Sequence, residues 1–134
     1  SGESRPGAAL VNANGTLDTG FSSDGHAEVD FGGTGTRADV CTRMVVLPDG
    51  DIIAAGSANN ASGEKAWAFA RFNSNGSFDS GFGNSGRLLV DHNSQIAVTP
   101  SLADVVWDAP RGRLMAACNL NFPALDDSAC VLAI

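Results

Sequence analysis

Short apolar runs separated by turns rich in glycine, asparagine and aspartate set the rhythm of this chain. Ala8-Ala-Leu-Val11 stops at Asn12, and His26-Ala-Glu-Val-Asp-Phe31 follows as a second run. Cys41-Thr-Arg-Met-Val-Val-Leu47 and Asp51-Ile-Ile-Ala-Ala-Gly56 flank Pro48, Asp49 and Gly50. Apolar runs on either side of Pro-Asp-Gly predict a hairpin, because Asp and Gly accept the backbone angles of a tight turn. Residues 57–64 read as a polar loop. Ala66-Trp-Ala-Phe-Ala-Arg-Phe72 then alternates with period two, with Trp67, Phe69 and Arg71 on one face and the alanines with Phe72 on the other. A face of alanines lets a second sheet approach closely. No stretch carries the spacing of an amphipathic helix of useful length. The pattern predicts an all-β protein.

The turns repeat. Asn12-Ala-Asn-Gly-Thr-Leu-Asp-Thr-Gly-Phe-Ser-Ser-Asp-Gly25 returns as Asn73-Ser-Asn-Gly-Ser-Phe-Asp-Ser-Gly-Phe-Gly-Asn-Ser-Gly86, an offset of 61 from Asn12 to Asn73. The shared positions are Asn12/Asn73, Asn14/Asn75, Gly15/Gly76, Asp18/Asp79, Gly20/Gly81, Phe21/Phe82 and Gly25/Gly86. Self-similarity at such a period marks a stacked or radial repeat. After the second copy come Arg87-Leu-Leu-Val-Asp91, two runs around Asp108-Ala-Pro-Arg-Gly112, and Ala129-Cys-Val-Leu-Ala-Ile134. Aligned by residue type, the last run sets Cys130 opposite Trp67 and Leu132 opposite Phe69, an offset of 63. The expected organisation is a flexible lead-in (1–7), the last strand of a preceding unit (8–11), one repeat at 12–72 and another at 73–134. Four-stranded units with a Gly/aromatic motif in each fit β-propeller blades, so the expected fold is a partial propeller: about two antiparallel blades and one leading strand. Its structural marks are Gly15, Phe21, Gly25, Gly76, Phe82, Gly86 and the Pro48-Asp49-Gly50 turn.

Charge narrows the partners. Eight basic residues stand against fifteen acidic ones for a formal net charge of −7, and Lys65 is the sole lysine. Such a surface repels phosphate backbones, which argues against nucleic-acid binding. No apolar run approaches the roughly 18 residues of a membrane-spanning helix.

Candidate chemistry is sparse. Asn12, Asn14 and Asp18, with Asn73, Asn75 and Asp79, are spaced like oxygen ligands around a glycine, which raises calcium as a candidate ligand. Each copy holds one carboxylate and lacks a closing bidentate Glu. The favoured reading is that these side chains cap the turn backbone while Phe82 packs beneath, with no cofactor. Cys118 and Cys130 fall on neighbouring strands and are expected to form a cross-strand disulfide, which implies an oxidising compartment. Cys118 with Cys41, or three buried thiols, are the alternatives. His26 and His92 read as surface or turn residues, and Trp67 and Trp107 as core. No nucleophile elbow, zinc-type spacing or phosphate loop is present, so no enzyme is expected. Asp49/Asp51 and Asp126-Asp127 are acidic turn pairs without an inferable shared cleft.

The motif string Asn73-x-Asn-Gly-Ser-Phe-Asp-x-x-Phe-Gly-x-x-Gly86, with Val46-Leu-Pro-Asp-Gly-Asp-Ile-Ile-Ala-Ala-Gly-Ser57 and Ala68-Phe-Ala-Arg-Phe-Asn73, resembles the delta-60 repeat family of bacterial exported and surface proteins. The resemblance implies a propeller-type architecture and an extracellular, cell-surface or periplasmic setting, and it brings no catalytic residues. In a bacterial protein the acceptor patterns at Asn14, Asn60 and Asn75 are incidental. Two blades leave sheet faces open, so further blades or another protein chain are the expected partners. The expected function is a non-catalytic structural or protein-interaction module within a larger chain or assembly, presenting loops at 57–64 and 119–128. The alternative is a piece of a propeller enzyme or ligand-binding protein whose site needs residues from other blades.

Overall fold

A computed structural model describes residues 5–32, 39–92, 99–121 and 128–134. The strands are β1 (Gly7–Ala9), β2 (His26–Glu28), β3 (Val40–Val46), β4 (Ile52–Asn59), β5 (Lys65–Phe72), β6 (Arg87–Val90), β7 (Thr99–Asp108), β8 (Arg113–Asn121) and β9 (Ser128–Ala133). They form three antiparallel sheets ordered β1-β2, β3-β4-β5-β6 and β7-β8-β9. Among the described residues the one helical element is a 3-10 turn at Ala109–Arg111. The all-β expectation holds.

The sheets and the sequence period are out of phase by one strand. His26–Phe31 reads in the sequence as the opening strand of a four-stranded unit, yet β2 pairs back onto β1. Each signature turn returns the chain antiparallel to the strand it has left: Leu10 N–H donates to Gly25 O at 3.0 Å, and Arg71 N–H donates to Gly86 O at 2.9 Å. The first signature therefore closes β1 onto β2, and the second closes β5 onto β6. Gly7↔Glu28, Ala8↔Ala27 and Ala9↔His26 reproduce Ala68↔Leu89, Phe69↔Leu88 and Ala70↔Arg87 at an offset of 61 on both strands. The four-stranded sheet takes three strands from one period and its fourth from beyond the next signature.

Three further sequence readings shift. The leading strand begins at Gly7, and Pro6 is buried with its carbonyl accepting from Val29 N–H at 2.8 Å, so these two residues of the expected flexible lead-in are held in the fold. The polar loop contracts to residues 60–64: β4 runs to Asn59, and Asn60 Oδ1 accepts from the amides of Ser62 and Glu64 at 3.0 and 2.9 Å. Lastly, Cys130 opposes Cys118 as Ala68 opposes Gly56, which makes the offset 62 on both strands and pairs Cys130 with Ala68 rather than Trp67. Hydrogen-bond register, not residue likeness, fixes equivalence. The expected loop at 119–128 and the Asp126-Asp127 pair fall largely or wholly outside the described residues.

Two apolar layers hold the sheets. One lies between the four- and three-stranded sheets and is built on Ile53, Phe69, Trp67, Leu102, Val105 and Leu114. The other covers the opposite face of β4 and β5, where Ile52, Ala54, Ala70 and Phe72 meet Ala8, Phe21, Ala27 and Val29. Full burial of side chains such as Ile53 and Phe69 contributes roughly 1.5–3 kcal/mol each. The Trp67 indole N–H donates to Ser101 O at 3.1 Å, a hydrogen bond that joins the two large sheets. The turn between β3 and β4 falls where Pro48-Asp49-Gly50 predicts it, with Leu47 N–H donating to Asp51 O at 2.8 Å.

Candidate functional site

The signature turns are built almost atom for atom alike. Asn14 Oδ1 accepts from Thr16 N–H at 3.1 Å and from its hydroxyl at 2.7 Å, and Asn75 Oδ1 accepts from Ser77 N–H at 3.0 Å and its hydroxyl at 2.7 Å. Asn12 Nδ2 donates to Thr16 Oγ1 and Leu17 O, as Asn73 Nδ2 does to Ser77 Oγ and Phe78 O. Asp18 Oδ1 and Asp79 Oδ1 accept from Gly20 and Gly81 N–H at 2.9 Å. The residues proposed for calcium thus spend these atoms on the turn itself. Gly25 and Gly86 sit at φ +89° and +88°, where a Cβ would stand 2.8 Å from the Leu17 Cβ and 2.7 Å from that of Phe78. Phe78 stacks on Phe72 at 4.9 Å, taking the place beneath the turn expected for Phe82, which lies instead at the edge of the layer between the large sheets.

Sequence reading missed a charged cluster at the second turn. Arg71 Nη2 lies 2.9 Å from Asp51 Oδ2 and 3.5 Å from Asp49 Oδ2, and its Nε lies 3.1 Å from Asp79 Oδ2. One guanidinium ties the Pro48-Asp49-Gly50 hairpin to the signature turn. Leu10 holds the matching place before the first signature, so no repeat signal exposes the cluster.

A second feature is an open apolar face on β7-β8-β9. Val106 opposes Met115, and Ala117 opposes Val131, so these four side chains share one side of the sheet. Val106 is 55% exposed and Val131 69% exposed. They line a shallow depression of about 170 Å³ together with Asp104, whose Oδ1 lies 3.7 Å from Arg43 Nε.

The cysteines are free thiols: Cys118 buried, Cys41 and Cys130 half-buried. The expected Cys118–Cys130 disulfide is therefore absent, although the two residues stand directly opposite on β8 and β9. Cys41 is across from Gly56 on another sheet. His26 is exposed beside Asp24, 3.4 Å from its carboxylate, and His92 Nδ1 is a buried atom without a hydrogen-bond partner among the described residues. The two histidines lie at separate strand ends, and among the described residues no group of three His, Cys, Asp or Glu side chains is placed to hold a metal.

A family model described as "Domain of unknown function (DUF5122) beta-propeller" matches residues 1–21 and 47–82. These spans take in most of the first signature, the hairpin turn, β4, β5 and the second signature through Phe82. The architecture is that of a β-propeller repeat. Neither curated proteins nor solved structures offer a match.

In propeller terms the open face has a covered twin. Val45↔Ile53 and Ala55↔Phe69 occupy the register positions of Val106↔Met115 and Ala117↔Val131. In the first blade Ile53, Ala55 and Phe69 are at most 1% exposed because the second blade lies on them. The second blade presents the same face bare. Its open, partial sheets are consistent with missing blades. Among the described residues no helix is long and apolar enough to cross a membrane.

Proposed function

We propose that the chain is an exported or cell-surface β-propeller segment acting as a non-catalytic structural or protein-interaction module. The observation that carries this reading is the bare face of the second blade at Val106, Met115, Ala117 and Val131. Its register twins Ile53, Ala55 and Phe69 are covered in the first blade. A contiguous apolar patch of this kind marks a docking surface, and here the occupant is a further blade or another protein chain. The signature turns and the Pro48-Asp49-Gly50 hairpin, through their resemblance to delta-60 repeats, support export from a bacterial cell.

The test compares the chain with its Val131→Asp variant. A carboxylate at the centre of the face should suppress both self-association in sedimentation and binding of an apolar dye, without lowering the melting temperature, since Val131 lies in no core layer. If both proteins stay at the 13.7 kDa chain mass and take up dye equally, the face is not a docking surface.

A further inference from the structure

Position 56 of the first blade and position 118 of the second occupy the same place in the sheet, yet they carry opposite side chains. Gly56 has no room for a Cβ, which would collide with the carbonyl of Val40. Its twin Cys118 carries a thiol into the layer between the blades, and Cys130 faces it from β9 where the first blade has Ala68. Directly opposed antiparallel residues have Cα atoms about 4.5–5.5 Å apart, inside the roughly 4.4–6.8 Å span of disulfides. Their Cβ atoms, about 4.5–5.5 Å apart, must close by about 1 Å to bond. β9 is the edge strand of its sheet and is hydrogen-bonded to β8 alone among the described strands, so a movement of that size is open to it.

We propose that Cys118 and Cys130 are a redox-active cross-strand dithiol that closes to a disulfide and staples the edge strand β9 to β8. Cys130, half-buried, is the entry thiol, and Cys118, 2% exposed, is the resolving one. The Cys130 thiolate attacks a low-molecular-weight disulfide, forms a mixed disulfide and releases one small thiol. Cys118 then gives up its proton to solvent and attacks Cys130 Sγ, and the second small thiol leaves. Two protein thiols are oxidised to one disulfide while one small disulfide is reduced to two thiols, so atoms and electrons balance.

The geometry has support in the thiols themselves. The Cys118 thiol donates to Ala116 O at 3.8 Å, and burial with the nearby Cys130 holds it far above its ordinary range, at about 12. Below that value the attacking thiolate gains about tenfold per pH unit, so resolution is the slow, pH-dependent step. This inference does not depend on the docking role of the opposite face, because both sulfurs point into the inter-blade layer.

The test uses the folded chain with Cys41→Ala, which leaves the pair as its only thiols. Incubation with oxidised glutathione should give a species lighter by ~2 Da, two hydrogens, through a transient glutathione adduct on Cys130. Its melting temperature should rise by several degrees and return on reduction. Adding Cys130→Ala should abolish the mass loss. In the unsubstituted chain, non-reducing peptide mapping should link Cys118 to Cys130 and leave Cys41 free. A folded chain that stops at the glutathione adduct, joins two copies through Cys130, or loses the two hydrogens only after denaturation overturns the proposal.

Discussion

The amide of Ser22 donates to the carbonyl of Asn75 across 2.7 Å, joining the first signature turn to the second. Ser22 holds φ +51° to do so. The signature is therefore a fastening between units as well as a turn within one. Gly15 and Gly76 are twins in this motif, at φ +85° and +84°, with unequal surroundings. Nothing lies near a Cβ built on Gly15, whereas one on Gly76 would be 2.6 Å from Ser22 N. Gly15→Ala should cost only the left-handed strain, about 1 kcal/mol, and Gly76→Ala about 2–4 kcal/mol because Ser22 must also yield. Urea unfolding of the two variants checks this. Equal losses would mean the contact between turns contributes nothing.

Arg71 is the hub of the second turn, and its ion pairs are well shielded: side-chain exposure is 22% for Arg71, 16% for Asp51 and 25% for Asp79. Arg71→Met keeps the stem and removes the charge, leaving carboxylates unpaired, and should cost about 1.5–3 kcal/mol. Arg111, 65% exposed beside Asp108, is the control. Arg111→Met should cost under about 0.5 kcal/mol. Similar losses in the two variants would remove Arg71 from its role.

Alkaline stability should report on Cys118. Burial, with Cys130 beside it, raises its thiol from 9.0 to about 12. A folded value above the unfolded one gives stability that is whole below pH 9 and lost toward pH 12, because the unfolded thiol ionises first. Denaturant titrations should show wild type weakening through that window, with Cys118→Ala on a flatter course. Parallel curves would show that the thiol does not couple to folding.

The turn oxygens make a prediction about metal. Since Asn14, Asn75, Asp18 and Asp79 already accept hydrogen bonds from their own turns, a chelator should leave the melting temperature unchanged. Asp79→Ala should lower stability by about 1–2 kcal/mol through the lost Gly81 and Arg71 partners. A clear drop in melting temperature on chelation, restored by added calcium, would assign these oxygens to a cation instead.

What the sequence made legible was local. Asn, Asp and Gly at fixed spacings encode a turn by their own side-chain bonds, so the signature and the Pro48-Asp49-Gly50 hairpin could be read directly. The alternation of Trp67, Phe69 and Arg71 with alanines likewise separated the two faces of β5, although a sheet covers both: the three-stranded sheet lies on Trp67 and Phe69, and β1-β2 lies on the alanine face. Strand partnership was not legible. His26 to Phe31 looks the same whether it opens a new sheet or closes an old one, and long-range hydrogen bonds decide. Arg71 escaped notice because its carboxylates are distant in the chain and its repeat equivalent is Leu10. Cys130 was misaligned by one residue because matching it to Trp67 follows side-chain size, while the ladder counts backbone positions. The facing thiols were expected, and their unbonded state was not.

The one-strand offset between period and sheet works like a staggered joint in masonry. Cutting between Phe72 and Arg87, where the sequence invites it, would separate β6 from the three strands it completes. Neither piece would keep an intact edge. Duplicating a period inserts a unit whose outer strand is already committed to its neighbour. A repeat built this way lengthens easily but comes apart poorly, so its natural module is the overlap between units rather than the unit itself.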